Sequence, residues 1–229
     1  MRTERLAAAS GAVYVVLVMV GNGIATAGQS NIESGKAVLS DLQHRSAAQS
    51  VGIAMEVLSF AALMVFVGYL YRALRRSERP DGWAAAAAFG TGVLATAVKL
   101  ASAAPGLAAY LRRDDLPPVL ARTLNDLGGG AFVISGYAFG IFVALAAGSA
   151  FGTLALPRWL SISGLVAGVL TIAAGVAGVL SPAGYVPVPF LLCLAWILAA
   201  SIVFSVRGPA PRPTDRADDA VRAGVSAPA

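Results

Sequence analysis

The sequence is poor in the residues that most redox and metal chemistry depends on. One of its 229 residues is a cysteine, Cys193, and one is a histidine, His44. A single cysteine excludes an intrachain disulfide and a Cys-x-x-Cys redox pair. A single histidine excludes a membrane cytochrome with two axial histidines and a His-Glu-x-x-His zinc site. We therefore expect no metal centre.

Motifs for nucleotide binding and covalent catalysis are also missing. Neither Gly-x-x-x-x-Gly-Lys nor Gly-x-Gly-x-x-Gly occurs, so no cofactor is expected. Ser135 precedes Gly136 inside an apolar stretch, as in intramembrane serine proteases, but a serine nucleophile needs an adjacent base. No histidine lies in that stretch, and Lys99 is the remaining substitute. The sequence thus gives little support for an enzyme.

Charge is scarce as well: 13% of the residues are charged and 57% are hydrophobic, whereas soluble domains carry roughly a quarter charged residues. The charges are clustered, which leaves stretches of about twenty apolar residues, long enough to cross a hydrocarbon core of about 30 Å. The formal net charge of +5 does not indicate nucleic-acid binding, because the arginines lie in short runs beside these stretches. We therefore predict that most of the chain is surrounded by a lipid bilayer.

Hydropathy predicts an all-α membrane protein, because an open strand in lipid would leave its backbone groups without hydrogen bonds. The bundle of about six transmembrane helices forms one domain over residues 1–206. Its spans are predicted at about 7–28, 51–71, 83–104, 127–150, 159–180 and 186–206. The loops at 29–50 and 105–126 are long enough for short interfacial helices. Residues 207–229, rich in Pro, Ala, Asp and Arg, are predicted to form a disordered cytoplasmic tail.

The distribution of Lys and Arg predicts the orientation. Eleven of these residues fall on the side of the two termini and five on the other side, and positive residues favour the cytoplasm. Both termini are therefore expected inside the cell. An excess of Ala, Gly and Arg is typical of GC-rich bacterial genomes, which favours a multi-pass protein of the bacterial inner membrane. Alternatively, the first span is a signal peptide cleaved after Ala25-Thr26-Ala27, which would leave the later helices oriented the same way.

Small residues recur at helical spacing in the fourth and fifth spans. The glycines concerned are Gly136, Gly140, Gly148, Gly164, Gly168 and Gly175. Such strips let helix backbones approach closely in lipid. They serve either packing within the chain or a seam with a second copy or a partner membrane protein. Gly128-Gly129-Gly130 are poor helix formers, which indicates a flexible hinge, an unwound binding segment or a frayed helix entrance.

Two ionisable residues lie inside apolar spans, Glu56 in the second and Lys99 in the third. Charges in a bilayer are costly, so they call for a partner or a function. Each lies about five residues inside the predicted outer end of its helix, at similar depths of roughly 7–8 Å. A short loop makes these helices antiparallel neighbours. The sequence therefore predicts a buried ion pair near the outer face.

Three interpretations of function stay open. In the first, the pair is purely structural. In the second, Glu56 is a protonatable group at the base of an outer cavity in a proton- or ion-coupled transporter of small solutes. Asn22, Asn125, Asp126 and His44 are then expected nearby. In the third, the basic segment from Arg72 to Arg79 binds a partner or anionic lipid, as in an interaction or sensory subunit.

Two segments resemble a known family. They are FGTLALPRWLSISGLVAGVL at 151–170, and Glu56 followed by YLYRALRRS at 69–77. Both are similar to a large bacterial family of multi-helix membrane proteins described only as a domain of unknown function. The similarity extends over about 5–206. It implies the same six-helix layout and assigns no reaction.

Overall fold

The computed structural model describes residues 2–26, 34–79, 82–181 and 185–207, and these contain helices and no strand. There are eight helices in this part of the chain: α1 Arg2–Thr26, α2 Gly35–His44, α3 Ser46–Ser77, α4 Ala84–Ser102, α5 Ala104–Leu111, α6 Pro118–Thr153, α7 Arg158–Leu180 and α8 Val188–Arg207. The predicted tail from residue 208 onward, and Ala27 of the alternative cleavage site, lie outside the described residues.

Six segments are long and apolar enough to cross a membrane, which confirms the predicted fold class. They are Thr3–Thr26, Ser46–Ser77, Ala84–Leu111, Pro118–Thr153, Arg158–Leu180 and Val188–Arg207. The fourth begins nine residues before its predicted start at 127. Its helix starts at Pro118, where a proline fits the first turn, and continues through polar residues that a hydropathy profile leaves out.

The six spans form a closed ring in which neighbours in sequence are neighbours in space. Going round the ring, α1 contacts α3, α3 contacts α4, α4 contacts α6, α6 contacts α7, and α7 contacts α8. Helix α8 then packs back against α1. The spans alternate in direction, so the ring has two ends. We call the end with α2, α5 and the start of α6 the cap end. The opposite end, where α3 finishes and α4 begins, is the arginine end.

Aromatic side chains fill the middle of the ring. Tyr14, Phe139 and Phe142 are fully buried, and the Phe139 ring lies 6.1 Å from Tyr14, 5.9 Å from Phe142 and 5.4 Å from Phe190 between centroids. Apolar side chains also cover the outside, where Leu180 is 82% exposed. An apolar exterior around a packed core is what a lipid surrounding requires.

Helices α6 and α7 make the most extensive contact in the bundle, and glycines allow it. A Cβ on Gly168 would lie 2.7 Å from the backbone nitrogen of Ala144, and one on Gly140 would lie 2.8 Å from the Gly168 carbonyl oxygen. A Cβ on Gly175 would lie 2.8 Å from the Cβ of Tyr137. At these positions any side chain would push the two backbones apart.

The other three glycines of the strips differ among themselves. Gly164 lies against the indole of Trp196, whose Nε1 donates a hydrogen bond of 2.9 Å to the Leu160 carbonyl oxygen. A Cβ on Gly136 or Gly148 would meet only ordinary contacts, at 3.4 and 3.6 Å. Four of the six glycines thus lie at very close contacts within the chain.

The three consecutive glycines neither fray the entrance of the helix nor unwind it. Gly128, Gly129 and Gly130 are helical and lie well inside α6. A Cβ on Gly129 or Gly130 would meet nothing within 4 Å. The helix continues through them because it is anchored on both sides, and the missing side chains leave open space beside α6.

We expect Gly168→Ala to destabilise the bundle. The added methyl group would collide with the backbone of α6, and overpacking of this kind costs roughly 1–3 kcal/mol. Gly152→Ala is the matched control, since a Cβ there meets nothing within 4 Å. The free energy of unfolding in mixed detergent micelles measures the difference. Equal stability of the two variants would contradict the close α6–α7 contact.

Candidate functional site

A cap with its own small apolar cluster covers one end of the ring. Its buried residues are Val38 and Leu42 of α2, Ala109 of α5, Leu116 and Ala121. Helix α2 begins where the Ser34 hydroxyl accepts a hydrogen bond from the Ala37 backbone N–H at 3.2 Å, an N-cap interaction. Short helices therefore occupy the segments predicted as outer loops, α2 in the first and α5 at the start of the second. Helix α5 also belongs to the third apolar segment, Ala84–Leu111.

A buried charged network joins the cap to the ring. The Asp41 side chain is 6% exposed and lies 3.2 Å from Arg45 Nη1, and it accepts a second hydrogen bond from Gln49 Nε2 at 3.2 Å. Arg45 also donates to the Ala25 carbonyl oxygen at the end of α1, where a cation is favourable. One carboxylate thus links α1, α2 and α3.

Between the cap and the ring lies a cavity of about 350 Å³, which we call the cap cavity. Its polar lining consists of Asn22, Thr26, Asp41, Gln49 and Asn125. The volume is that of a site for a small molecule. The arrangement offers amide, hydroxyl and carboxylate groups to a ligand.

The structure divides the residues expected around an outer cavity. Asn22 and Asn125 both line the cap cavity. Asp126 pairs instead with Arg122, at 2.9 Å from its Nε, on another side of α6. His44 contacts Ser40 within α2 and does not line the cap cavity.

Glu56 and Lys99 lie in direct contact with each other beside the cap cavity, and neither of them lines it. Lys99 Nζ is 2.7 Å from Glu56 Oε1, with side chains that are 7% and 20% exposed, and it lies 4.7 Å from the centroid of the Phe132 ring, a cation–π distance. Ile53 lines the cap cavity and is one helical turn from Glu56 on the same face of α3. The pair connects α3, α4 and α6 about 15 Å along α3 from its start.

The third span is broken just beyond Lys99. Helix α4 ends at Ser102 and α5 begins at Ala104, with Pro105 in its first turn. A proline has no N–H to donate to the preceding turn, which interrupts the helix. Non-helical backbone within a membrane protein is tolerated where it is covered by protein or lines a cavity, and α5 contributes Gly106 and Ala109 to the cap cavity.

At the arginine end, three arginines of α3 have acidic partners within the chain. Glu4 lies 2.9 Å from Arg72 and 3.4 Å from Arg76, and Glu78 lies 3.5 Å from Arg75. Glu78 also accepts a hydrogen bond of 2.8 Å from the Ala84 backbone N–H, which caps the start of α4. The Glu4 contacts hold the last turns of α3 against the start of α1, and the Glu78 contacts join the end of α3 to the start of α4.

Sequence reasoning missed the Asp41–Arg45–Gln49 network. The signal was present, since Asp41, Arg45 and Gln49 follow one another at a spacing of four, which places them on one face of a helix. Without an apolar span around them, nothing in the sequence indicated that Asp41 is buried. The cap over it arises from segments that are far apart in the chain.

Six apolar spans arranged around a packed aromatic core make this a multi-pass integral membrane protein in contact with the lipid bilayer. Residues 9–206 match a family described as "Domain of unknown function (DUF4386)". The chain belongs to that family, as the sequence resemblance implied. It matches no curated protein and no solved structure.

Glu56→Gln and Lys99→Met are each expected to destabilise the protein, because each leaves one buried charge without its partner. Loss of one member of a buried pair costs about 3 kcal/mol, and the double variant should lose less than the sum of the two. Unfolding free energies of all four proteins in mixed micelles give the coupling. Additive losses, within about 0.5 kcal/mol, would show that the two groups do not interact.

Proposed function

We propose that this chain is an ion-coupled transporter of small polar solutes in the bacterial inner membrane. The observation that carries the proposal is the Glu56–Lys99 contact of 2.7 Å placed one helical turn below a polar cavity. Ionisable side chains are rare inside membrane spans, and where they occur they commonly mark the pathway of an ion or a substrate. Glu56 is assigned the coupling role, and the cap cavity the solute site.

The lining of the cap cavity sets the class of solute. It presents the side-chain amides of Asn22, Gln49 and Asn125 and the Asp41 carboxylate. Asp41 is the one charged side chain among the described residues that line the cavity, since its partner Arg45 does not line it. An anionic solute would therefore meet a carboxylate and no cation. The proposed solute is therefore small, polar, and neutral or cationic.

The coupling follows from competition for the Glu56 carboxylate. In the described state Lys99 neutralises Glu56, and the Phe132 ring faces the ammonium group. A proton or cation taken up by Glu56 would release Lys99, and the contact between α3 and α4 would loosen. The break between α4 and α5 provides the point of motion, since discontinuous helices at binding sites are typical of transporters.

Charge at the two ends supports the orientation with both termini in the cytoplasm. Among the described side chains, the arginine end holds seven arginines and two glutamates, whereas the cap end holds five basic and four aspartate residues. An excess of Arg and Lys favours the cytoplasmic side. The cap cavity then opens outside the cell.

An interaction or sensory subunit has less support. That function relied on the basic segment from Arg72 to Arg79, and three of its arginines already contact Glu4 or Glu78. These contacts stabilise the fold of the arginine end and reduce the charge offered to a partner.

Proteoliposomes loaded with a pH-sensitive dye test the coupling role under an imposed proton gradient. We expect small amides or primary amines to accelerate acidification of the lumen by the wild-type protein, and Glu56→Gln to abolish this response. Asp115→Asn is the control, because Asp115 is exposed at the same end and does not line the cap cavity. Equal acidification with Glu56→Gln, or no response to the panel in the wild type, would overturn the proposal.

Cysteine labelling tests the orientation. Cys193 is buried, and its Sγ lies 3.1 Å from the Thr171 hydroxyl. We expect a serine to keep that contact, so Cys193→Ser is the cysteine-free background. A membrane-impermeant maleimide should label Asp114→Cys in intact cells. It should label Arg79→Cys only after the membrane is opened, and the reverse pattern would invert the assigned topology.

A further inference from the structure

The Lys99 ammonium group is held by two different partners, a carboxylate on α3 and an aromatic ring on α6. Its Nζ lies 2.7 Å from Glu56 Oε1 and 4.7 Å from the centroid of the Phe132 ring. In the part of the chain that the structure describes, these two are its polar and aromatic contacts. An ammonium group carries three N–H donors, and the carboxylate takes one of them. The ring is the group that can receive the others.

The packing of α4 against α6 places Phe132 level with Lys99. A Cβ on Gly128 of α6 would lie 4.0 Å from the Ser102 carbonyl oxygen at the end of α4. Lys99 lies one helical turn before Ser102, and Phe132 lies one turn after Gly128. Because the two helices run in opposite directions, these two steps lead to the same level of the bundle. The backbones of both helices therefore bring the ring and the ammonium group together.

Two further rings hold Phe132 in place. The Tyr185 and Phe190 rings lie 5.8 and 5.5 Å from it between centroids, at interplanar angles of 84° and 69°, which are edge-to-face arrangements. The Ser135 hydroxyl donates a hydrogen bond of 2.7 Å to the Phe132 carbonyl oxygen, so the serine that precedes Gly136 is engaged within its own helix. Packing from α8 and from the segment before it thus fixes the Phe132 ring beside the ammonium group.

The attraction between the ring and the ammonium group does not depend on the carboxylate. An aromatic face attracts a cation through its quadrupole, and the attraction is stronger where both groups are out of water. The Lys99 side chain is 7% exposed. An ammonium group released from Glu56 would otherwise be a buried charge without a partner, which is strongly unfavourable. Phe132 offers that partner without any movement of the helices.

We propose that Phe132 is a positioning residue that holds the Lys99 ammonium group while Glu56 carries the coupling ion, which rests on the coupling role proposed above for Glu56. Lys99 then stays charged inside the bundle and returns to Glu56 when the ion leaves. The ring favours ion uptake only as far as it binds the released ammonium group more tightly than the paired one. That difference in binding is the quantity to measure.

Stepwise fluorination of the Phe132 ring measures it, because fluorine weakens the attraction of the ring for a cation and changes its shape little. Mono-, di- and trifluorinated phenylalanine are placed at position 132 in the wild type, in Lys99→Met, and in Glu56→Gln and Glu56→Met, which model the neutral carboxylate. We expect the folding equilibrium constant in mixed micelles to fall over the series by about tenfold in the Glu56 variants and about threefold in the wild type. Lys99→Met should show no fall. The same series at Phe142, which contacts Phe139 about 15 Å further along α6, is the control and should not depend on Lys99.

Lysine labelled with carbon-13 at Cε gives an independent reading by NMR, since the chain has two lysines, Lys36 and Lys99, and the exposed Lys36 serves as the reference. In Glu56→Gln the Lys99 Hε signal should move upfield from its wild-type position, as protons above a ring face do, and Phe132→Leu should abolish that movement. A fluorine dependence that persists in Lys99→Met, one no steeper in the Glu56 variants than in the wild type, or an unmoved Lys99 signal would overturn the proposal. Loss of the acidification response with the fluorine dependence intact would instead reject the coupling role of Glu56.

Discussion

Lipid offers no hydrogen bonds to a peptide group, and the architecture of this protein depends on that constraint. Each span must satisfy its own backbone, which makes it a helix. Helices in lipid gain little from the hydrophobic effect, so their association depends on close contact of atoms. The contact between α6 and α7 provides it, where Gly140 and Gly168 let the two backbones meet. The ring closes when α8 returns to α1, where the Ser201 hydroxyl donates to the Ala8 carbonyl oxygen at 2.6 Å.

The same constraint explains why the charged groups inside and just above the spans occur as neutralised pairs. The Glu56 and Lys99 side chains are both largely buried and neutralise each other, as buried charges must. Above them the cap adds a second neutralised pair, Asp41 and Arg45. The cap cavity lies between these two pairs. Asn125 lines this cavity and also a second one, between α6 and α7.

The number and helical character of the spans could be predicted from the sequence because they follow from local apolarity and length. The start of the fourth span could not, since Arg122, Asn125 and Asp126 are polar and end the apolar pattern although the helix continues. Gly128, Gly129 and Gly130 were predicted to weaken the helix because glycine has a low helix propensity. The flanking turns of α6, anchored against α4 and α7, keep that segment helical.

The candidate site, too, could be predicted only in part from the sequence. Glu56 and Lys99 were identifiable from sequence alone, because a charge in an apolar run is conspicuous wherever the helix packs. Asp41 and Arg45 were not, because their burial depends on α2, α5 and α6 meeting over the ring. Composition and hydropathy determined that this chain lies in a membrane as six helices. Only the tertiary structure decided which polar groups share a cavity, because such proximity arises from packing between segments far apart in the chain.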